Sequence, residues 1–243
     1  MSELALLGIV IGIVSGFFGI GGGTILVPVL VHLGYDVKTA IGIAVVQMVF
    51  ASVFGSYVNY KNGKLRVNDG IALGLGGFLG ATQSGWIVQA VPEEFLLYTF
   101  AGALVFALFR FLRSPVVPSG PCVRSIPLLF GVGFGVGIVA ISIGVGGGLF
   151  LTPILVGFMR YGIKQAVSMG LFFVVFSSIS GFLSMMHYGV IDLKTGIVLG
   201  LGSLLGVYAG TTFSYRVNSR VQKWLLMAIY VLLLGLILNK LLG

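Results

Sequence analysis

The sequence GIGGGTILVPVL, residues 19–30, lies within a run free of Lys, Arg, Asp and Glu that extends from Leu4 to Tyr35. A run of that length exceeds the roughly 20 apolar residues that cross a bilayer as a helix. Three consecutive glycines in its middle argue against a single straight helix, since each glycine costs about 1 kcal/mol relative to alanine in a helix interior. Glycines that serve helix packing are spaced four positions apart on one face. Contiguous glycines suit a break, so residues 19–23 read as a turn between two limbs.

The rest of the chain supports a membrane setting for that turn. Its 243 residues are 58% hydrophobic and only 8% charged, and the mean hydropathy is +1.13, far from the composition of a soluble globular domain. Charge-free runs recur at 39–60, 70–92, 95–109, 125–159, 165–191, 195–215 and 224–239. They lack the alternation of a transmembrane barrel, so the expected fold is an all-α polytopic membrane protein. The first run has no charged leader and no small-residue cleavage site, and is expected to belong to the fold rather than to a signal peptide. The net charge of +8 is scattered between apolar spans, the pattern of loops facing anionic lipid, and no nucleic acid partner is expected. Cys122 is the only cysteine, which excludes intrachain disulfides and cysteine clusters.

The chain repeats itself. At an offset of 125 residues GIGGGTILVP (19–28) falls on GVGGGLFLTP (144–153). One residue later in register, at 126, Lys38 meets Lys164 and Gly55 meets Gly181, while Gly70, Gly74, Gly76 and Gly80 meet Gly196, Gly200, Gly202 and Gly206. The organisation read from this is a first repeat over 1–113, a Pro/Ser/Gly-rich linker over 114–125 and a second repeat over 126–243.

Internal repeats of this kind mark transporter folds, which use them in parallel or inverted form. Charge placement chooses between the two. With four full spans per half, the basic residues divide 8 to 6 across the membrane. If the first segment of each half instead breaks at its glycines and returns, three spans remain per half and the second half inverts. Lys61, Lys64, Arg66, Arg110, Arg113, Arg124, Arg160, Lys164, Arg216, Arg220 and Lys223 then share the inner side, against Lys38, Lys194 and Lys240 outside, a split of 11 to 3. The positive-inside rule favours the second arrangement. The expectation is therefore two inverted-topology repeats, each a broken re-entrant hairpin plus three transmembrane helices, with both termini outside.

A turn at membrane depth is tolerated only where it is buried in protein or lines a wet cavity. The limb after the glycines would aim its free N–H groups and positive dipole end at the protein centre, an arrangement suited to an anion, with Thr24 placed as an N-cap. Pro28 and Pro153 fall in the first turns of these limbs, where a missing N–H costs least. The glycine pairs Gly76 with Gly80 and Gly202 with Gly206 read as packing surfaces.

No Asp, Glu, Lys or Arg lies deep in a span, which argues against proton coupling through a buried carboxylate. The candidate substrate-binding residues are Gly21, Gly22, Gly23, Thr24, Gln47, Ser52, Gly146, Gly147, Gly148, Ser177 and Ser178; Ser52 and Ser178 are repeat mates at mid-span. Each serine has the alternative of bonding its own helix or a neighbour. His32 and His187 read as surface residues without a second ligand nearby, so no metal site and no cofactor are expected. Trp86, Trp224, Tyr57, Tyr60, Tyr98 and Tyr215 read as interfacial anchors. No HExxH or GxSxG motif is present, so the chain does not read as an enzyme.

The paired motifs GIGGGTILVP and GVGGGLFLTP, with GLGGFLGA at 74–81 and GLGSLLGV at 200–207, resemble the TauE/SafE family of sulfite exporters. The resemblance covers nearly the whole chain. It implies a multi-pass permease of the bacterial inner membrane for a small sulfur-containing anion, such as sulfite, sulfoacetate or another organosulfonate, with the two triple-glycine stretches as the substrate-lining positions. Leu149 stands where the first half has Thr24, so the two motifs are chemically unequal. Related thiosulfate importers rely on central cysteines, and Cys122 lies in the linker instead. An anion channel or an ion-coupled importer is the alternative function, and a homo-oligomer is one assembly the sequence allows.

Overall fold

The computed structural model describes residues 2–113 and 122–242; residues 114–121 of the expected linker lie outside them. Eleven helices form among the described residues: α1 (Ser2–Phe18), α2 (Gly23–His32), α3 (Val37–Lys61), α4 (Val67–Ala81), α5 (Ser84–Ala90), α6 (Glu93–Arg113), α7 (Ile126–Ser142), α8 (Gly148–Gly157), α9 (Ile163–His187), α10 (Leu193–Arg216) and α11 (Ser219–Leu242). Six stretches are long and apolar enough to cross a membrane: α3, Val67–Ala90 (α4 with α5), α6, α9, α10 and α11. The all-helical polytopic fold expected from composition is what forms. The run 70–92, expected as one span, is interrupted at Thr82 and Gln83, where the Thr82 hydroxyl donates back to the Leu79 carbonyl.

Local chemistry sets the helix ends. The Asp36 carboxylate accepts from the Thr39 N–H at 2.9 Å, and Asp192 accepts from the Thr195 N–H at 3.1 Å, starting α3 and α10. Each carboxylate thereby satisfies an otherwise unpaired N–H of a first turn. At the far ends of α3 and α9 the repeat mates Gly63 and Gly189 adopt φ of 64° and 70°, and the next N–H groups, of Lys64 and Val190, return to the carbonyls of Asn59 and Met185. Both are Schellman stops.

Membrane helices gain nothing from hiding apolar surface from lipid, so close backbone approach holds them together. Along α1 and α10 the contacts ascend together. Gly8, Gly12 and Gly16 meet Leu199, Ser203 and Val207, while Gly202, Gly206 and Gly210 meet Ala5, Ile9 and Ile13. The same pattern joins α4 to α7, where Gly76 and Gly80 abut the carbonyls of Phe130 and Phe134 and Gly133 abuts that of Leu73. The packing role expected of the spaced glycines is thus what they perform.

α3 also ascends with α10, through Val46 against Gly196 and Phe50 against Gly200, as α4 does with α9, through Gly70 against Phe172 and Gly74 against Phe176. α3 and α9 instead cross in opposite senses: Gly55, late in α3, meets Leu171, early in α9, and Gly42, early in α3, meets Val190, just past the end of α9. One end of the bundle collects basic residues over aromatic rings, with Lys64 over Tyr215, Arg66 over Tyr161 and Arg110 over Phe158. At the other end Lys38 Nζ donates to the Gln89 carbonyl and the Val37 N–H to Glu93.

Candidate functional site

The two glycine breaks meet at the middle of α3 and α9. Gly22, with φ 75°, is the N-cap of α2, and Gly147, with φ 88°, is the N-cap of α8. Only glycine enters this region without strain, and the approach of the two breaks leaves no room for a side chain. A Cβ on Gly23 would overlap the Gly144 carbonyl, and one on Gly148 would overlap the Gly19 carbonyl. Met48 lies between the breaks, with its sulfur 3.0 Å from a Cβ built on Gly23 and against Gly146.

Thr24 does not cap α2, contrary to expectation. It is the second residue of the helix, and its hydroxyl donates across the gap to the Val145 carbonyl at 3.0 Å. A single hydrogen bond thus ties the first break to the second. The matching Leu149 has no hydroxyl with which to return it.

Gln47 is fully buried, and neither its Oε1 nor its Nε2 has a hydrogen-bond partner. A Cβ built on Gly22 would sit 2.5 Å from Oε1 and 2.9 Å from Nε2, so the amide lies against the start of α2. There the Gly23 and Ile25 N–H groups bond to the carbonyls of Gly21 and Gly22, which leaves the Thr24 N–H in the first turn and the positive end of the helix dipole. Buried polar groups are almost always satisfied, and this amide is not. Its repeat mate, 126 residues on, is Phe173, whose ring edge abuts Gly147 at the other break. One break presents an amide and the other an aromatic ring. The sequence reading named Gln47 but missed Met48 and Phe173; the 126-residue offset applied to Gln47 would have found Phe173.

A family model described as "Sulfite exporter TauE/SafE" matches residues 4–238. The chain belongs to this family. Relatives of modest identity span it almost end to end. "Probable membrane transporter protein YdhB" of Bacillus subtilis is 24% identical, covering 88% of this chain and 90% of its own. A "Probable membrane transporter protein" of Haemophilus influenzae is 25% identical over 88% and 86% of the two chains. "Probable membrane transporter protein MJ0441" of Methanocaldococcus jannaschii is 21% identical over 93% and 91%. No solved structure matches. This TauE/SafE chain is therefore a multi-pass membrane transporter and not an enzyme.

The remaining candidates of the TauE/SafE chain lie one turn beyond the breaks. Ser52 and Ser177 back-bond to the carbonyls of Val49 (3.4 Å) and Phe173 (3.2 Å). Ser178 is buried with no partner for its hydroxyl. Gly21, Gly22, Gly23, Thr24, Gln47, Gly146, Gly147 and Gly148 are brought together; the three serines are set apart from them. Of the expected interfacial anchors, Trp86, Trp224, Tyr57, Tyr60 and Tyr98 are exposed on the helix bundle. Tyr215 is not: its hydroxyl points inward to donate to Asn59 Oδ1. Lys223, expected in a loop, is only 8% exposed at the start of α11. Outside the spans, burial followed by its hydrogen bond to Asp69 pushes the Tyr161 hydroxyl above the ordinary tyrosine range.

Proposed function

We propose that this transporter passes a small sulfur-containing oxyanion, sulfite or an organosulfonate, out of the cell through the junction of the two glycine breaks. The observation that carries the reading is the unpartnered Gln47 amide against the N-terminus of α2. The amide offers two N–H donors and the helix start offers that of Thr24 with the positive end of its dipole, a set that matches an oxyanion and needs no buried cation. Gly21, Gly22, Gly23, Gln47, Gly146, Gly147 and Gly148 would line the site. Thr24 would hold the breaks together, Ser52 would line the approach from the basic end, and Ser177 and Ser178 the approach from the other.

The repeats proposed over 1–113 and 126–243, joined by a linker at 114–125, are inverted in this reading. Several features support that. The six membrane-length stretches divide three to each half, and the packing partners exchange when the halves are exchanged: α1 with α10 corresponds to α7 with α4, and α2 with α11 to α8 with α6. The repeat mates α3 and α9 cross in opposite senses. The end that collects Lys64, Arg66, Arg110 and Lys164 would face the cytoplasm. Single cysteines at Ser2 and Gly243 would then both be labelled from outside intact cells by an impermeant thiol reagent; protection of either refutes the topology.

An anion leaving a cytoplasm that is electrically negative gains about 2.3 kcal/mol per charge per 100 mV, so export proceeds without a coupling ion. The occluded junction, with Met48 between the breaks and Ile20 and Val145 fully buried, favours a carrier over a channel. Efflux of labelled sulfite and sulfoacetate from proteoliposomes tests the reading. It should rise as the interior is made more negative and fall by at least tenfold in Gln47→Met; potential-independent flux, or flux unaffected by the substitution, refutes it.

A further inference from the structure

At the basic end of the bundle a crevice of about 640 Å³ opens between the last turns of α3 and α10. Tyr57, Lys61, Asn62, Thr212, Tyr215 and Arg216 are among the residues that line it. Tyr215 separates this crevice from a buried polar pair by donating its hydroxyl hydrogen bond to Asn59 Oδ1. Behind it Asn59, only 1% exposed, has no partner for Nδ2, and Ser56, one turn earlier and 6% exposed, has none for its hydroxyl. Beside Tyr215, Ser214 accepts from Gln222 Nε2 at 3.0 Å, and the same nitrogen donates to the Phe17 carbonyl at 2.7 Å. Amides and hydroxyls are therefore buried from the crevice to the end of α1, two residues before Gly19.

The other half has no such feature. At the 126-residue offset Asn59, Ser56, Ser214 and Gln222 correspond to Met185, Phe182, Val88 and Leu96, of which Met185, Val88 and Leu96 belong to the hydrophobic core. Lys61 and Arg216 correspond to His187 and Ala90. Two hydroxyls near the end of α9 are satisfied within the protein: Ser184 donates to the Thr82 carbonyl and accepts from the Gly85 N–H, and Ser180 donates to the Phe78 carbonyl. The same fold thus accepts apolar residues at these positions. Burying unmatched amides and hydroxyls is costly, so this pair behind a cationic rim, where the other half carries apolar residues, calls for a bound partner there. The carboxylate at this end, Asp69, accepts from the Tyr161 hydroxyl, while Lys164 Nζ reaches the Tyr215 carbonyl and Lys64 lies over the Tyr215 ring.

We propose that this crevice is a second binding station for a small oxyanion, on the basic-side approach to the glycine junction. Lys61 and Arg216 collect the anion, and Asn59 Nδ2 and the Ser56 hydroxyl receive it when the Tyr215–Asn59 bond opens. The proposal rests on the permease reading, and it makes the two approaches to the junction unequal: a cationic rim over unpartnered polar groups on one side, and apolar residues at the matching positions on the other. A phospholipid headgroup carries the same oxyanion chemistry, and the experiment separates the two sources.

The test uses the full-length protein with Cys122→Ser and Thr212→Cys in vesicles of phosphatidylcholine, with and without phosphatidylglycerol. The rate of labelling by an impermeant maleimide is followed with sulfoacetate, methanesulfonate or sulfate as the probe. Labelling should occur from the basic side only and slow at least threefold with one of these anions. Lys61→Gln with Arg216→Gln should raise the half-protecting concentration about tenfold. Asn59→Met, which copies the matching Met185, should slow flux of labelled sulfoacetate while leaving Thr212→Cys reactive. Labelling that no soluble anion slows, or that responds only to the phosphatidylglycerol content, overturns the proposal. Loss of flux for every anion in the wild-type protein overturns the permease reading instead, because protection of the crevice is read without transport.

Discussion

Replacing Gln47 with methionine separates a structural amide from a ligand-binding one. Met has nearly the same length and flexibility and fills the same space against Gly22, but carries no hydrogen-bonding atoms. Both Gln47 amide atoms are buried without partners in the protein. Burying such a group unsatisfied costs about 1–3 kcal/mol. Its removal should therefore stabilise the ligand-free transporter, which is the reverse of the usual effect of a core substitution. At about 2–4 °C per kcal/mol for a chain of this size, the midpoint should rise by about 2–12 °C.

The ligand response should move in the opposite direction. A ligand at about 100 times its dissociation constant stabilises the wild-type protein by about 2.7 kcal/mol, and Gln47→Met should lose that increment. The assay is thermal unfolding of purified protein in detergent, alone and with a series of sulfoacetate or sulfite concentrations. A variant that is less stable than wild type without ligand shows that the amide is bonded in the native state. A variant that retains the full ligand-induced shift shows that the amide does not bind the anion. Either result refutes the argument from the orphaned amide.

Two further outcomes follow from single contacts. Thr24→Val keeps the shape but removes the hydroxyl that donates to Val145; it should cost about 1 kcal/mol in thermal unfolding and loosen the link between the two breaks. The Asp192 carboxyl is held below its ordinary value chiefly by its hydrogen bond from the Thr195 side chain. Its folded pKa is depressed, so its stabilisation is present above the unfolded value and is lost as pH falls through the folded one. Asp192→Ala should cost about 1 kcal/mol at neutral pH, the difference from wild type should shrink below pH 3.8, and Asp192→Asn should keep most of the cap throughout.

The glycine breaks were legible in the sequence because glycine is the residue type whose clustering has a distinct backbone meaning, and because the repeat gave a second copy to check. The packing roles of Gly76, Gly80, Gly202 and Gly206 were legible from their spacing for the same reason. The orientation of side chains around apolar helices was not. α10 carries apolar residues on all faces, so nothing in its sequence says that Tyr215 turns inward to Asn59 while Tyr208 is exposed. The interruption after Ala81 has no Gly or Pro at positions 82–83 to announce it. Thr24 was misplaced by two residues. The cap falls on Gly22, where a φ of 75° suits glycine, and Thr24 is left inside the helix with its hydroxyl free to cross to Val145.

The pairing of Gln47 with Phe173 bears on how tightly the junction holds its cargo. Helix N-termini each contribute up to about 2 kcal/mol to an anion in a partly buried site, so two open ends would grip one strongly. A carrier must also release what it binds, and conduction in general requires binding that is favourable but not deep. Phe173, packed against Gly147, covers the start of α8 with a ring edge and leaves α2 with the polar partner. Converting Phe173 to Gln would give both breaks an amide. Phe173→Gln should then lower the concentration of anion needed for half-maximal flux by about tenfold and lower the maximal rate as well, since roughly 1.4 kcal/mol of added binding deepens the bound state from which release must occur. Phe173→Leu, which removes the ring without adding donors, should leave the half-maximal concentration near the wild-type value, so that loss of packing alone is distinguished from gained affinity. Equal effects of the two substitutions on the half-maximal concentration would mean that the ring, and not the missing amide, sets affinity at this junction.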